Sequence, residues 1–177
     1  GGGVGGFREV KNPVTPYTAS PLDGYPSAPN RVTLTVQSYP IVVGGGGTGG
    51  NASAPGNPDR TGGKGNNSSF GGVVSAAGGG GRINSCIPTC IANGGSGGGS
   101  PHPAHAAGSG NTPPTTPAQG TDGAPGAPGT DGKDAAGGGG GATVAGTAGS
   151  NPGPGGPGGA GATTSINATP TAYAGGG

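Results

Sequence analysis

The residues best equipped for chemistry are two cysteines and two histidines that stand close together, Cys86-Ile-Pro-Thr-Cys90 and His102-Pro-Ala-His105. Thiolates and imidazoles in pairs are the ligand types of zinc sites. The histidine pair is one residue tighter than the usual spacing, and Pro101 and Pro103 oppose the helix that normally presents such a pair. The spacing therefore favours a local disulfide between Cys86 and Cys90 across Pro88. Zinc held by Cys86, Cys90, His102 and His105 is the weaker candidate, and free or intermolecular thiols are the third. A loop this short gives modest stabilisation on the loop-entropy account. No carboxylate accompanies the histidines in sequence, so general acid–base catalysis has no support. Asp122, Asp131 and Asp134 carry oxygens that suit calcium, but their positions near the third place of glycine triplets mark a solvated outer face. G-x-G-x-x-G spacings occur within the glycine runs, yet no flanking strand, helix and acidic residue make them a dinucleotide fingerprint. Asn51, Asn66, Asn67 and Asn167 open N-x-S/T sequons, which matter only in a glycosylating host.

The elements available to position such groups are unusual. Glycine (50) and proline (20) together form about 40% of the 177 residues, against an ordinary ~12%. Leu, Ile, Val and Phe supply 19 residues, about 11%, well below the ~20% under which an apolar core becomes doubtful. A helical bundle, Rossmann domain or conventional barrel is excluded on this ground. Seven basic and six acidic residues leave a net charge of +1, with no basic stripe of the kind that binds nucleic acid. The longest large-aliphatic run is Ile41-Val42-Val43, far short of the ~20 residues of a membrane span. The opening Gly1-Gly2-Gly3 without Met is expected of a processed product or a piece of a longer protein.

Two regions follow. Residues 1–43 read as a small β and proline-rich region. Arg31-Val-Thr-Leu-Thr-Val-Gln37 alternates with period two and predicts a half-buried strand. Ile41–Val43 predicts a second strand and Phe7–Val10 a third, with a proline-rich excursion between them. Residues 44–177 read as one glycine-rich bundle, forming a single structural unit with 1–43. Ala162–Ile166 predicts a late return to strand. Gly44, Gly47, Gly50, Gly56, Gly62, Gly65, Gly71 and Gly80 share one phase of a three-residue period. Gly120, Gly123, Gly126, Gly129 and Gly132 head five consecutive G-X-Y triplets.

Three residues per turn is the polyproline II repeat, which has no internal hydrogen bonds. Its backbone groups need partners once they leave water. Collagen meets this with three chains around a glycine axis, and a polyglycine II bundle meets it with many parallel or antiparallel rods. Runs such as Gly137–Gly141 are bare on every side and suit an interior rod. The predicted fold is therefore irregular and polyproline II-rich: a packed polyglycine II bundle with a few short strands and essentially no α-helix. Disorder and a collagen-like trimer are the alternatives. The backbone-packing glycines are then Gly44, Gly47, Gly50, Gly62, Gly65, Gly71, Gly80, Gly120, Gly123, Gly126, Gly129 and Gly132.

The ordered non-glycine motifs add a family. Residues 1–10 (GGGVGGFREV), 14–23 (VTPYTASPLD), 39–47 (YPIVVGGGG), 67–70 (NSSF), 74–81 (VSAAGGGG) and the closing 173–177 (YAGGG) resemble the glycine-rich domain of tailed-phage virion proteins, especially tail-fibre-like proteins of marine phages. That resemblance implies a virion location, a non-enzymatic role as fibre scaffold or host-surface adhesin, and no cofactor. Expected partners are other virion proteins, a host cell-surface glycan or protein, and further copies in a homo-oligomer or polymer, with no nucleic acid and no membrane insertion. A secreted, self-assembling extracellular filament is the alternative, and an ice-binding protein with a flat Thr/Ala face at 112–121 is the minor one. The loops at 51–60, 83–93, 101–117 and 167–171 carry the sequence variety and are where recognition by a rigid scaffold concentrates.

Overall fold

A computed structural model describes residues 1–26, 30–50, 62–81, 92–129 and 134–177. No α-helix occurs among them, and the five strands are two or three residues long. What organises the chain is a lattice of extended rods whose hydrogen bonds rotate with a period of three.

Residues 137–142 show the pattern most fully. Gly137 and Gly140 donate to the carbonyls of Ser100 and Gly97, Gly138 and Gly141 to those of Thr147 and Val144, and Gly139 and Ala142 to those of Gly177 and Ala174. Three neighbours are therefore served in strict rotation, which is the polyglycine II arrangement. The carbonyls of this rod accept in turn from three other neighbours: Ala124 and Thr121 donate to Gly138 and Gly141, Gly156 and Gly159 to Ala136 and Gly139, and the Gly1 ammonium to Gly137 at 3.3 Å. Six neighbours surround one rod. Residues 94–100 form a second interior rod. Ser96 and Gly99 donate to Val4 and Gly1, and Gly97 and Ser100 to Thr121 and Ala124. Both rods are buried throughout.

Side chains are nearly absent from this interior. Among the described residues the buried hydrophobic ones are seven alanines, and the largest fully buried side chains are Gln119, Ser96 and Ser100. Glycine is required by close approach. A Cβ on Gly138 would overlap the Pro157 carbonyl, and one on Gly123 would overlap that of Gly98. Residues 1–6, which the sequence groups with the small β region, lie inside the lattice: Gly3 and Gly6 donate to Gly79 and Ala76.

The strands sit at the margins. β1 (Ile41–Val42), β2 (Ser68–Phe70) and β3 (Val73–Ser75) form an antiparallel sheet in that order, with Ile41 opposite Phe70 and Ser69 opposite Val74. The β2–β3 connection is the pair Gly71-Gly72, with φ of 54° and 85°. Two consecutive positive φ values are what a tight type I′ hairpin needs, and glycine supplies them without strain. Gly71 therefore serves a turn rather than a rod. β4 (Ala162–Thr164) and β5 (Thr171–Tyr173) form a separate antiparallel pair.

Two strand expectations are corrected. Residues 31–37 are not a strand. Their alternation never becomes a buried face, since Leu34 is 55% exposed and Val36 fully so. A local bend competes instead, in which Thr35 N–H donates to the Tyr39 hydroxyl and that hydroxyl donates back to the Thr35 carbonyl. Residues 7–10 contribute only an isolated bridge between Glu9 and Asp23, because Phe7 N–H is taken by the Gln119 carbonyl. Strand structure does occur at Ile41–Val42 and Ala162–Thr164.

Gly138→Ala tests the lattice. The added methyl has no space, so a loss of about 1–3 kcal/mol is expected, the range for overpacking a tight interior. Chemical denaturation followed by the polyproline II signal in circular dichroism would measure it, and unchanged stability would contradict the packing described.

Candidate functional site

The packing glycines named from sequence divide by surroundings. Gly44, Gly47 and Gly80 each have a neighbouring carbonyl where a Cβ would sit, those of Asn66, Gly63 and Gly62. Gly120 and Gly123 meet Gly95 and Gly98 in the same way, and Gly126 faces the His102 amide and the Ala135 carbonyl. A Cβ on Gly62 or Gly65 would be tight against Gly81 or Gly45, at 3.3 and 3.0 Å. Gly50 is exposed at the end of its run, and Gly129 donates to Asp134 Oδ1. Gly56 and Gly132 lie outside the described residues.

Cys86 and Cys90 also lie outside the described residues, so neither the disulfide nor the four-ligand zinc reading is placed. His102 and His105 are neighbours, with ring centroids 5.4 Å apart. His102 Nδ1 accepts the Ala104 amide, and its Nε2 lies 3.7 Å from Asp134 Oδ2. Among the described residues no group of three or more His, Cys, Asp or Glu is arranged to hold a metal. Asp131 falls outside them. Asp122 and Asp134 each satisfy a backbone donor, Gly110 at 2.7 Å and Gly129 at 3.1 Å. Of the sequon residues, Asn67 accepts the Ala77 amide and Asn167 the Thr169 amide, both through side-chain oxygens.

Buried polar side chains act as pins where the lattice meets its loops. Gln119 is 1% exposed. Its Oε1 accepts the Ala76 amide at 2.8 Å, and its Nε2 donates to the Pro113 carbonyl at 2.8 Å. Glu9 is also buried; its carboxylate accepts the Ser20 amide and the Thr164 hydroxyl, both at 2.7 Å. It thereby ties the proline-rich excursion to β4. Burial raises the Tyr17 phenol above its ordinary value, and the negative charge of Glu9, a hydrogen bond to it and the charge of Asp23 add to the effect.

The feature most suited to recognition is an apolar groove of about 610 Å³ over the β1–β3 sheet. Val32, Leu34, Val42 and Phe70 supply its apolar surface, with Arg8 and Arg31 among its lining residues. Leu34 and Val42 are 55% and 50% exposed. Tyr39 packs at a tilt on Phe70, with centroids 6.0 Å apart. Arg31 lies over the Tyr25 ring at 4.8 Å and donates through Nε to the Tyr25 carbonyl. No acidic residue lines the groove. Its chemistry suits a ligand with an apolar surface and an anionic or hydrogen-bond-accepting group. In the sequence Val32, Leu34 and Val42 read as parts of strands in a small β region. The missing signal is tertiary: the lattice is closed by backbone alone and has no use for them inside.

The whole of residues 1–177 matches the glycine-rich domain family. The chain belongs to that family. No curated protein and no solved structure matches it.

Two outcomes test the pins. Gln119→Ala strands a buried amide and removes the donor to a carbonyl, so a loss of about 1–3 kcal/mol is expected in denaturant titration. The raised Tyr17 pKa means that the fold favours the neutral phenol. Its contribution is complete below the unfolded value of about 10 and is lost as pH rises through the folded value. Melting temperature should therefore fall above about pH 10, and the fall should be shallower in Tyr17→Phe.

Proposed function

We infer that this glycine-rich domain is a non-enzymatic structural part of a tailed-phage fibre or fibre tip, a rigid scaffold that carries a host-surface adhesin face. The observation that carries this reading is the division of labour in the molecule. Backbone hydrogen bonds specify the shape, while a cluster of large apolar side chains with Arg8 and Arg31 lines an outer groove where it does nothing for the core. A scaffold that presents loops and a groove is a common basis for recognition. The motif order at 1–10, 14–23 and 39–47 supports placing it on a virion, among other virion proteins, with a host glycan or protein as ligand.

A self-assembling extracellular filament is the second reading, favoured by backbone groups left unpaired on one side of the bundle. The ice-binding reading fares worse. The hydroxyls of Thr112, Thr115 and Thr121 hydrogen-bond to carbonyls of the chain itself, so they do not form a free repeating face.

Fluorescently labelled chain offered to a panel of bacterial envelopes tests the adhesin role. Saturable binding to a subset is expected, and Leu34→Asp or Arg31→Ala should abolish most of it while the circular dichroism spectrum is kept. Binding to none, or binding indifferent to both substitutions, would remove the groove from the function. Continuous filaments in electron micrographs would favour the second reading.

A further inference from the structure

One side of the lattice is unfinished. Residues 1–6 present three rows. Gly3 and Gly6 donate to Gly79 and Ala76, and the carbonyls of Gly1 and Val4 accept from Gly99 and Ser96. The third row, Gly2 and Gly5, makes no hydrogen bond among the described residues. Residues 44–50 are similar. Gly45 and Thr48 accept from Asn66 and Gly63, whereas Gly46, Gly47 and Gly49 make none among the described residues. Gly2, Gly5, Gly46 and Gly47 border an open groove of about 400 Å³, and so does Gly80. Gly80 is buried yet also lacks a hydrogen-bond partner among the described residues, a costly state for a peptide group.

A steric observation points to the same place independently. A Cβ on Gly46 or Gly81 would meet nothing within 4 Å, and on Gly2 or Gly5 only ordinary contacts at 3.8 and 3.6 Å. None of the four has a positive φ. Nothing described within the chain demands glycine at these positions, although glycine loses more conformational entropy on folding than alanine. Inside the bundle, bare faces of this kind are where another backbone lies.

We propose that this groove receives a glycine rod from a second copy of the chain, its 44–50 segment, through backbone N–H···O=C bonds. Residues 45–50 are exposed. The segment already pairs antiparallel with 62–66, Gly44 donates to Ser68 Oγ and Gly47 lies against the Gly63 carbonyl, so the row that stays unused is Gly46 and Gly49. Gly46 of that row borders the groove, so the free face of the rod and the groove lie side by side. The same patch thus supplies both groove and rod, so the contact is isologous and closes as a twofold dimer. The inference rests on the lattice and goes beyond the adhesin reading.

Sedimentation of the whole chain across a concentration series tests it, with Gly46→Ala and Gly81→Ala beside the parent. The parent is expected to dimerise reversibly. Each substitution should raise the dimer dissociation constant at least ~10-fold while the melting temperature, compared at a dilution where parent and variant are both monomeric, stays at or above the parent's, because the added methyl meets no described atom of its own chain. Val36→Ser, on a fully exposed residue away from the groove, should dimerise like the parent. A parent that stays monomeric, or alanine variants that associate as it does, would overturn the proposal. Loss of fold in both alanine variants would overturn it too, since these glycines would then have a role inside the chain. A monomer that retains the polyproline II spectrum would leave the scaffold reading standing, so the two failures are distinguishable.

Discussion

The constraint on which the structure depends is the lateral hydrogen bond between extended backbones that lack Cβ atoms. An extended rod offers its N–H and C=O groups outward, and only neighbours can satisfy them. Interior neighbours come close enough only where the side chain is absent, as at Gly138 against Pro157. The cost is conformational, since glycine surrenders the most freedom on ordering. Density of bonding offsets it. Residues 137–142 all donate, each to one of three neighbours in rotation. The unit of stability is thus the peptide group rather than the side chain.

That inversion explains where the remaining side chains go. With alanine the only buried apolar residue among the described residues, large aliphatics have no core to enter, and several of them gather over the β1–β3 sheet. Polar side chains that are buried have structural work. Gln119 extends a lattice-like donor and acceptor pair across a gap between residues 76 and 113, and Glu9 spans residues 20 and 164 by accepting at both carboxylate oxygens. Such pins appear where a loop must be held against rods that offer no side chains to grip.

Much of the fold was legible because composition and period are strong signals. The scarcity of large apolar residues, the run Gly137–Gly141 and the triplets from Gly120 by themselves lead to extended glycine segments. The hairpin at residues 68–75 goes unread, since the three-residue phase places Gly71 among the packing glycines although a Gly-Gly pair is also a turn signal. The segment 31–37 misled because alternation predicts a strand only when a buried face awaits it. That residues 1–6 take part in the lattice is not local information, because lattice membership depends on which rods surround a segment. The apolar groove was hidden for the same reason: Val32, Leu34 and Val42 look like core residues in any chain that has a conventional core.

An interior made of peptide groups and alanine methyls also has a thermal consequence. The large positive heat-capacity change of unfolding comes from newly hydrated apolar surface, while hydration of polar surface lowers it. Here unfolding exposes chiefly amides. The heat-capacity increment per residue should be well below that of an ordinary globular domain, and the curve of stability against temperature correspondingly flat. Cooling, which weakens proteins held by apolar burial, has little to act on in this molecule.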